Sequence, residues 1–295
     1  MRLLFFVSIL FSSIFISGQN LNTEIESYLI HKKFNKAQDL CTSKIQNLDE
    51  QSFIKCGHAY EFDKDEIKAA KFYDMGLKKY PNNFQIRYEK ALLFLNNNKD
   101  YEASLTLLPL LQYYKHKPIV HNAIGRAEYN QNRTAALMAL ITSEFLDANT
   151  KYSQQNLISI KELFKRKIFI KTSSSKNRMS LSNTNQSSKK PSKTNSFNHT
   201  DFVLSTRSVM GDFDISNEIE LLTLQFNTLG TSLKETNHLK QGEYWRYYAP
   251  IFTKIQEYDL SETAAYYLLR NKKHSYKIWL NQNKDKTHLL EELIY

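Results

Sequence analysis

Apolar residues recur at helical spacing through most of this chain, in short segments separated by polar breaks. In the clearest segment, one face of a first predicted helix carries Phe53, Cys56, Gly57 and Tyr60. One face of a second predicted helix carries Ala69, Tyr73 and Gly76. A polar break at Asp63 and Lys64 separates the two helices, and the second ends near Pro81. Because the glycines and Ala69 are small, the helices can approach closely, and the pattern predicts a helical hairpin.

Later segments keep the helical spacing without an obvious repeat. They cover residues 153–167, 217–233, 242–258, 261–271, 275–283 and 286–295. The chain has 7 Gly and 5 Pro in 295 residues, too few for the turn density of an all-β protein. A bend or a helix start is expected near Pro250, because proline disrupts a helix interior. The sequence therefore predicts an all-α fold.

The first hairpin resembles a tetratricopeptide repeat. Counted from Glu50, the residues at the family's eight signature positions are Phe53, Cys56, Gly57, Tyr60, Ala69, Tyr73, Gly76 and Pro81. Cys56 stands where the family has leucine, and Gly76 where it has alanine. Looser copies precede and follow this repeat, so the resemblance covers about residues 20–150. It implies a solenoid of helical hairpins over residues 19–168, with residues 153–167 as a capping helix.

A solenoid of this family implies a concave groove lined by the first helix of each hairpin. The residues expected to face it are Ile54, His58, Glu61, Gln85, Tyr88, Leu92, Leu95, Asn122, Arg126 and Tyr129. Mixed Tyr, Leu and Ile side chains suit an extended or helical peptide with apolar anchors. The alternative is that Tyr88, Leu92 and Leu95 pack against another part of the chain, such as its C-terminal segment. Some relatives clamp a terminal carboxylate, but Leu92 stands here where such a clamp needs a polar residue.

The positive charge of the chain is concentrated in one segment. Between Lys165 and Thr200 there are nine Lys or Arg and no Asp or Glu, whereas the rest balances 31 basic against 30 acidic residues. Residues 169–200 are rich in Ser, Asn, Thr and Lys, which predicts a disordered basic linker. The alternative is a tether to an anionic surface. The linker has no interleaved aromatic residues for base stacking, so nucleic acid is not an expected partner.

Residues 201–295 are predicted to form a small C-terminal helical domain. Its aromatic residues, which include Trp245, Tyr247, Tyr248, Phe252 and Trp279, could form a binding patch or a core. A core is favoured, because aromatic residues carry most of the apolar area in a small fold. The sequence leaves open whether this domain fills the groove or swings free.

The first 18 residues have the pattern of a secretory signal peptide: Arg2, an apolar run from Leu3 to Ile16, and the small pair Ser17–Gly18. The alternative is an uncleaved anchor, but the run is shorter than the about 20 residues that span a membrane. The expected location is the periplasm, the cell envelope or the exterior, with no transmembrane span after cleavage. In such a compartment Cys41 and Cys56 could form a disulfide, although two free, buried cysteines are the favoured interpretation.

Candidate chemistry is sparse. Cys56 and His58 lie about 200° apart around a helix and cannot form a nucleophile–base pair. The sequence has no HExxH, GxSxG, Walker or GxGxxG motif, and its eight histidines are scattered. No catalytic residue, metal or cofactor is expected. An enzyme hidden in the C-terminal domain would have to use Glu243, Arg246, His274 and His288.

The expected function is therefore a non-enzymatic, exported scaffold that binds a protein or peptide through the solenoid groove. The alternative is a structural protein of the envelope surface, associated with glycan or another anionic surface through its basic linker.

Overall fold

The computed structural model describes residues 21–166, 170–171, 180–181, 196–210, 217–236 and 242–295. The predicted signal peptide, residues 1–18, and most of the predicted linker lie outside the described residues. The described chain is helical apart from a two-residue antiparallel pairing of β1, Ile170–Lys171, with β2, Ser180–Leu181. The prediction of an all-α fold is confirmed.

The structure divides into two compact units, Met1–Lys99 (unit 1) and Asp100–Tyr295 (unit 2). Unit 1 contains α1 (residues 21–30), α2 (Phe34–Ser43), a 3-10 turn (Ile45–Asn47), α3 (Glu50–Phe62), α4 (Glu66–Lys79) and α5 (Phe84–Asn96). The first helices of unit 2 are α6 (Asp100–Leu107), α7 (Leu110–Tyr114), α8 (Pro118–Glu128), α9 (Arg133–Leu146) and α10 (Ser153–Lys165). The remaining helices are α11 (Asn198–Met210), α12 (Glu218–Thr236), α13 (Glu243–Tyr247), α14 (Ala249–Glu257), α15 (Ser261–Leu268), α16 (His274–Gln282) and α17 (Lys284–Ile294).

Helices α3 and α4 of unit 1 pack as closely as the small residues predict. A side chain at Gly57 would collide with the ring of Tyr73, and one at Gly76 would lie 3.0 Å from Cβ of Phe53. Asp65 accepts a hydrogen bond from the backbone N–H of Lys68 and so caps the start of α4. The helical pairing and the polar turn between the two helices are thus confirmed.

Cys41 and Cys56 form a disulfide that joins α2 to α3, and both residues are fully buried. The expectation that they remain free was wrong. The sequence placed each cysteine on the buried face of its helix, but it did not show that α2 and α3 bring these two faces together.

Unit 2 is built around α9, which is buried over nearly its whole length. Helices α8 and α10 pack against it, and so do α11, α15 and α17 from the C-terminal segment. The structure therefore places the break at residue 99, and not between a solenoid ending at 168 and a separate domain starting at 201. An apolar α9 can be buried on all sides only if distant helices cover it, and the C-terminal helices do so.

Helix α11 sets the end of the predicted linker. It begins at Asn198, and Phe197 and Thr200 are buried, so the linker does not extend to residue 200 as expected. Helix α10 contacts both α9 and α11, so it packs inside unit 2 and does not cap the end of a solenoid. The helix expected over residues 242–258 breaks at Tyr248, just before Pro250, as predicted.

Candidate binding surface

One partly exposed stripe of α3 in unit 1 carries His58, Glu61 and Phe62. These positions are three and four residues apart, so they lie on the same side of the helix. Helix α5 lies beside α3 and brings Glu89 to His58, with 3.4 Å between Nε2 and Oε2. About a third of the His58 side chain and a quarter of the Glu89 side chain stay exposed, so a partner can reach the pair.

The side chain of Glu61 is fixed by a contact with Tyr73 of α4. The Tyr73 hydroxyl donates a hydrogen bond of 2.5 Å to Oε1 of Glu61. Gly57 leaves room for the Tyr73 ring, since any side chain at that position would occupy the same space. Burial, followed by the charge of Glu61 and this hydrogen bond, raises the pKa of Tyr73 far above its ordinary value, so the phenol is a permanent donor.

The electrostatics of this cluster favour a protonated His58. Burial alone would lower the pKa of His58, but the hydrogen bond and charge of Glu89, with the charge of Glu61, outweigh it and raise the pKa. Burial raises the pKa of the Glu61 carboxyl, and the negative charge of Glu89 adds to this effect, although Tyr73 and His58 oppose it. The stripe therefore places a histidine of raised pKa beside the Glu89 carboxylate.

Apolar side chains border the pair. Phe62 is 58% exposed and its ring centroid lies 5.4 Å from that of Phe34, at the start of α2. Ile30, the last residue of α1, and Ile67, near the start of α4, are 70% and 81% exposed. The side chain of Gln38 links α2 to the end of α3 by donating to the carbonyl of Ala59 and to Asp63. We call Phe34, His58, Glu61, Phe62 and Glu89 the α3–α5 surface.

Of the ten groove residues predicted from sequence, seven lie in unit 1 and are not equally exposed. Ile54, Tyr88 and Leu95 are buried, so they pack the unit and were wrongly placed in a groove. The Tyr88 ring stacks on Phe84 with centroids 5.6 Å apart. Leu92 is half-buried, and Gln85 is exposed and accepts a hydrogen bond from Gln51. Only His58 and Glu61 of the predicted set join the α3–α5 surface.

The other three predicted residues lie in unit 2. Asn122 is buried and donates to Asn156 of α10, so it is not available to a partner, contrary to the prediction. Arg126 is exposed. The Tyr129 hydroxyl donates to Glu162 at 2.6 Å, and the guanidinium of Arg166 lies 4.6 Å from the centre of the Tyr129 ring. These positions were predicted from the face of α8 on which they lie. The sequence did not show that α10 covers part of this face.

Several titratable groups of unit 2 are buried in hydrogen-bonded pairs. Glu128 accepts from Tyr244 at 2.6 Å and from Ser104, and burial raises the pKa of its carboxyl. His121 donates through Nε2 to the carbonyl of Lys115 and accepts through Nδ1 from Tyr248. Burial lowers the pKa of His121 to about 4, which keeps the ring neutral. These contacts join α8 to the C-terminal helices and form part of the core.

A second buried cluster holds the start of α9. Arg133 donates to the carbonyls of Leu163 and Phe164 and to the hydroxyl of Ser205. Asp201 accepts from both the backbone and the hydroxyl of Thr134, where a carboxylate also offsets the helix dipole. Burial lowers the pKa of Arg133 to about 10 and raises that of Asp201. A buried arginine was not predicted from sequence, because charged residues carry no apolar signal.

The four titratable residues considered for a hidden enzyme do not converge. Glu243 and Arg246 lie 3.9 Å apart one turn along α13; Arg246 is exposed and Glu243 is partly exposed. His288 pairs with Glu292 on α17, and His274 is exposed at the start of α16. Within the described ranges, no group of three His, Cys, Asp or Glu residues is placed to hold a metal ion.

Comparison with known proteins gives no identification. No family model, no curated protein and no solved structure matches this chain. In the part of the chain that the structure describes, no helix is both long and apolar enough to cross a bilayer. The function must therefore be argued from the surface itself.

Sequence reasoning missed Phe34, Phe62 and Glu89. The spacing of Phe62 four residues after His58 was a usable signal, because it places both on one stripe. Glu89 lies four residues after Gln85, which had been assigned to the groove side of its helix. Phe34 had no such signal, since its contact with Phe62 depends on how the start of α2 packs against the end of α3.

Proposed function

We propose that this chain is a non-enzymatic, exported scaffold that binds a protein or peptide through the α3–α5 surface. The observation that carries the proposal is the exposed Phe62 ring beside the half-buried His58–Glu89 pair. A few residues, often aromatic, supply most of the binding energy at protein interfaces, and Phe62 is the residue of this surface that could do so.

Two features support export. The N-terminal residues 1–18 have the composition of a signal peptide. Disulfides persist in oxidising compartments and are rare in the cytosol, and Cys41 pairs with Cys56. The proposed location is the periplasm or another part of the cell envelope.

The resemblance of about residues 20–150 to tetratricopeptide repeats is part of the proposal, and the packing within unit 1 supports it. Close packing at Gly57 and Gly76 supports a repeat-like hairpin of α3 and α4, followed by α5 as the first helix of the next copy. In such a stack the first helices lie side by side, which is where α3 and α5 present His58 and Glu89.

Affinity capture from the envelope fraction tests the proposal. Phe62→Ser removes the exposed ring, whereas Tyr113→Ser removes a ring of similar exposure, 61%, from α7 of unit 2. The proposal predicts a protein that the wild type and Tyr113→Ser retain and that Phe62→Ser loses by at least tenfold, about 1.4 kcal/mol. Thermal unfolding of each variant shows that folding is intact. Equal capture by a folded Phe62→Ser protein would refute the proposed surface.

A further inference from the structure

Unit 1 also contains a cleft that is separate from the α3–α5 surface. It is an open cleft of about 460 Å³, lined by Ile45, Gln46, Phe53, Met75, Lys78 and Lys79. One wall comes from the 3-10 turn after α2, and the other from the last two turns of α4. No residue of the α3–α5 surface lines it.

The interior of the cleft is apolar. Phe53 is 3% exposed, and its ring meets that of Tyr80 edge-on with centroids 6.3 Å apart. Ile45 and Met75 are partly buried and pack against the core of unit 1. The volume lies at the lower end of the range for ligand sites, about 300–1,000 Å³, and holds one or two large apolar side chains.

The rim of the cleft is positively charged. Lys79 donates a hydrogen bond of 2.8 Å to the carbonyl of Leu48, which fixes its ammonium group at the edge. Lys78 is exposed and forms no ion pair with any residue that the structure describes. Both cations of the lining, Lys78 and Lys79, therefore lie on the α4 wall of the cleft. Lysines at the end of α4 also offset the helix dipole, but that role does not require the apolar space beside them.

We infer that this cleft binds an acidic peptide segment in which one large apolar side chain is flanked by carboxylates. The apolar side chain enters between Phe53, Met75 and Ile45. The carboxylates beside it meet Lys78 and Lys79. The inference goes beyond the proposed function, because it names a second site and the chemistry of its ligand.

Charge complementarity selects the peptide over an acyl chain. Two adjacent cations, Lys78 and Lys79, lie at the edge of the cleft, which suits a ligand with more than one carboxylate beside its apolar group. A fatty acid carries one charge, and its long tail would be left partly in water by an open cleft. The apolar anchor and its flanking charges are the features by which an extended segment is recognised.

The test uses three short peptides and the full chain labelled with ¹³C at its methionine methyl groups. The peptides are acetyl-Glu-Asp-Phe-Glu-Asp-amide, a version with Ser in place of Phe, and a neutral version with Gln and Asn in place of Glu and Asp. Binding is followed by the Met75 methyl resonance, assigned with the Met75→Leu variant. The acidic Phe peptide should shift this resonance saturably, and raising the salt concentration should weaken its binding, because the charges lie at the surface.

Two charge reversals on α4 provide the matched comparison. Lys78→Glu should weaken the Phe peptide about fivefold or more, as expected for an exposed charge contact. Lys71→Glu makes the same change on an exposed residue two helical turns away and should leave affinity unchanged. Phe62→Ser should also leave it unchanged, which separates this site from the α3–α5 surface. The inference is overturned if the Phe peptide does not bind, if the Ser or neutral peptide binds equally well, or if decanoate shifts Met75 and the peptide does not.

Discussion

Single side chains decide what unit 1 presents to solvent. Burial alone would lower the pKa of His58, but the hydrogen bond and charge of Glu89, with the charge of Glu61, raise it. The folded pKa is raised, so the protonated pair stabilises unit 1 fully below about pH 6.5, the ordinary pKa of histidine. This contribution is lost as the pH rises through the folded pKa of His58.

Glu89→Gln tests this balance directly. Removing the carboxylate leaves burial as the largest influence on His58, so the pKa of His58 should fall relative to the wild type. The measurement is an NMR titration of the His58 ring protons in both proteins. In Glu61→Gln the pKa should fall by less, because Glu61 acts on His58 through charge alone. A pKa that is unchanged in Glu89→Gln would contradict the assigned pair.

At the level of the helices, Gly57 is the position where α3 and α4 tolerate least change. Gly57→Ala adds a methyl group in the space of the Tyr73 ring, and we expect it to lower the free energy of unfolding by about 1–3 kcal/mol. Urea unfolding followed by tyrosine fluorescence measures the loss. In the Tyr73→Leu background the same change should cost less, because the ring is gone. If the two substitutions lower the free energy of unfolding additively, the side chains at positions 57 and 73 are not in contact.

The disulfide is the second feature that holds these helices together. Its partners are separated by 15 positions, and closing a loop of that length is worth about 3 kcal/mol. Replacing both cysteines by alanine should lower the unfolding free energy of unit 1 by about this amount. Mass spectrometry of a non-reduced digest should recover the peptides of α2 and α3 as one linked species. Recovery of two free peptides, both alkylated on cysteine, would rule out the link.

The sequence predicts these helices well because each is coded locally. Periodicity placed α3, α4 and α12, and Pro250 marked the break between α13 and α14. Ser261 is the first residue of α15, but its hydroxyl donates to Asn227 of α12 and does not cap the helix. A polar residue at a helix start can thus take a partner that only the tertiary structure supplies.

Across the whole molecule, the contacts that sequence could not predict are those between distant segments. Tyr244 reaches Glu128 across 116 positions, and Arg133 reaches Ser205 across 72. No periodic pattern encodes which remote helix covers a given face, so the C-terminal segment was read as a separate domain. The same limit explains why Asn122 was predicted to be open to a partner.

Cleavage of the chain tests this architecture. A protease recognition sequence inserted between Ser187 and Ser188 allows the folded protein to be cut without disturbing any described helix. The two fragments should co-elute in size-exclusion chromatography and separate only in denaturant. Arg133→Ala should lower the urea concentration at which the two fragments separate, because it leaves buried carbonyl groups and Ser205 without their hydrogen-bond donor. Separation of the wild-type fragments in buffer would contradict a unit 2 built from both segments.

The claim on which the account rests is that the α3–α5 surface contacts a partner. Site-specific photocrosslinking tests it most directly: a benzoylphenylalanine replaces Phe62 in one protein and Tyr113, similarly exposed in unit 2, in another. Both proteins are irradiated in their native cells. We expect a discrete crosslinked species from position 62 that is absent from position 113 and is lost when His58→Ala and Glu89→Ala are added. No crosslink from position 62, or the same species from both positions, would contradict it.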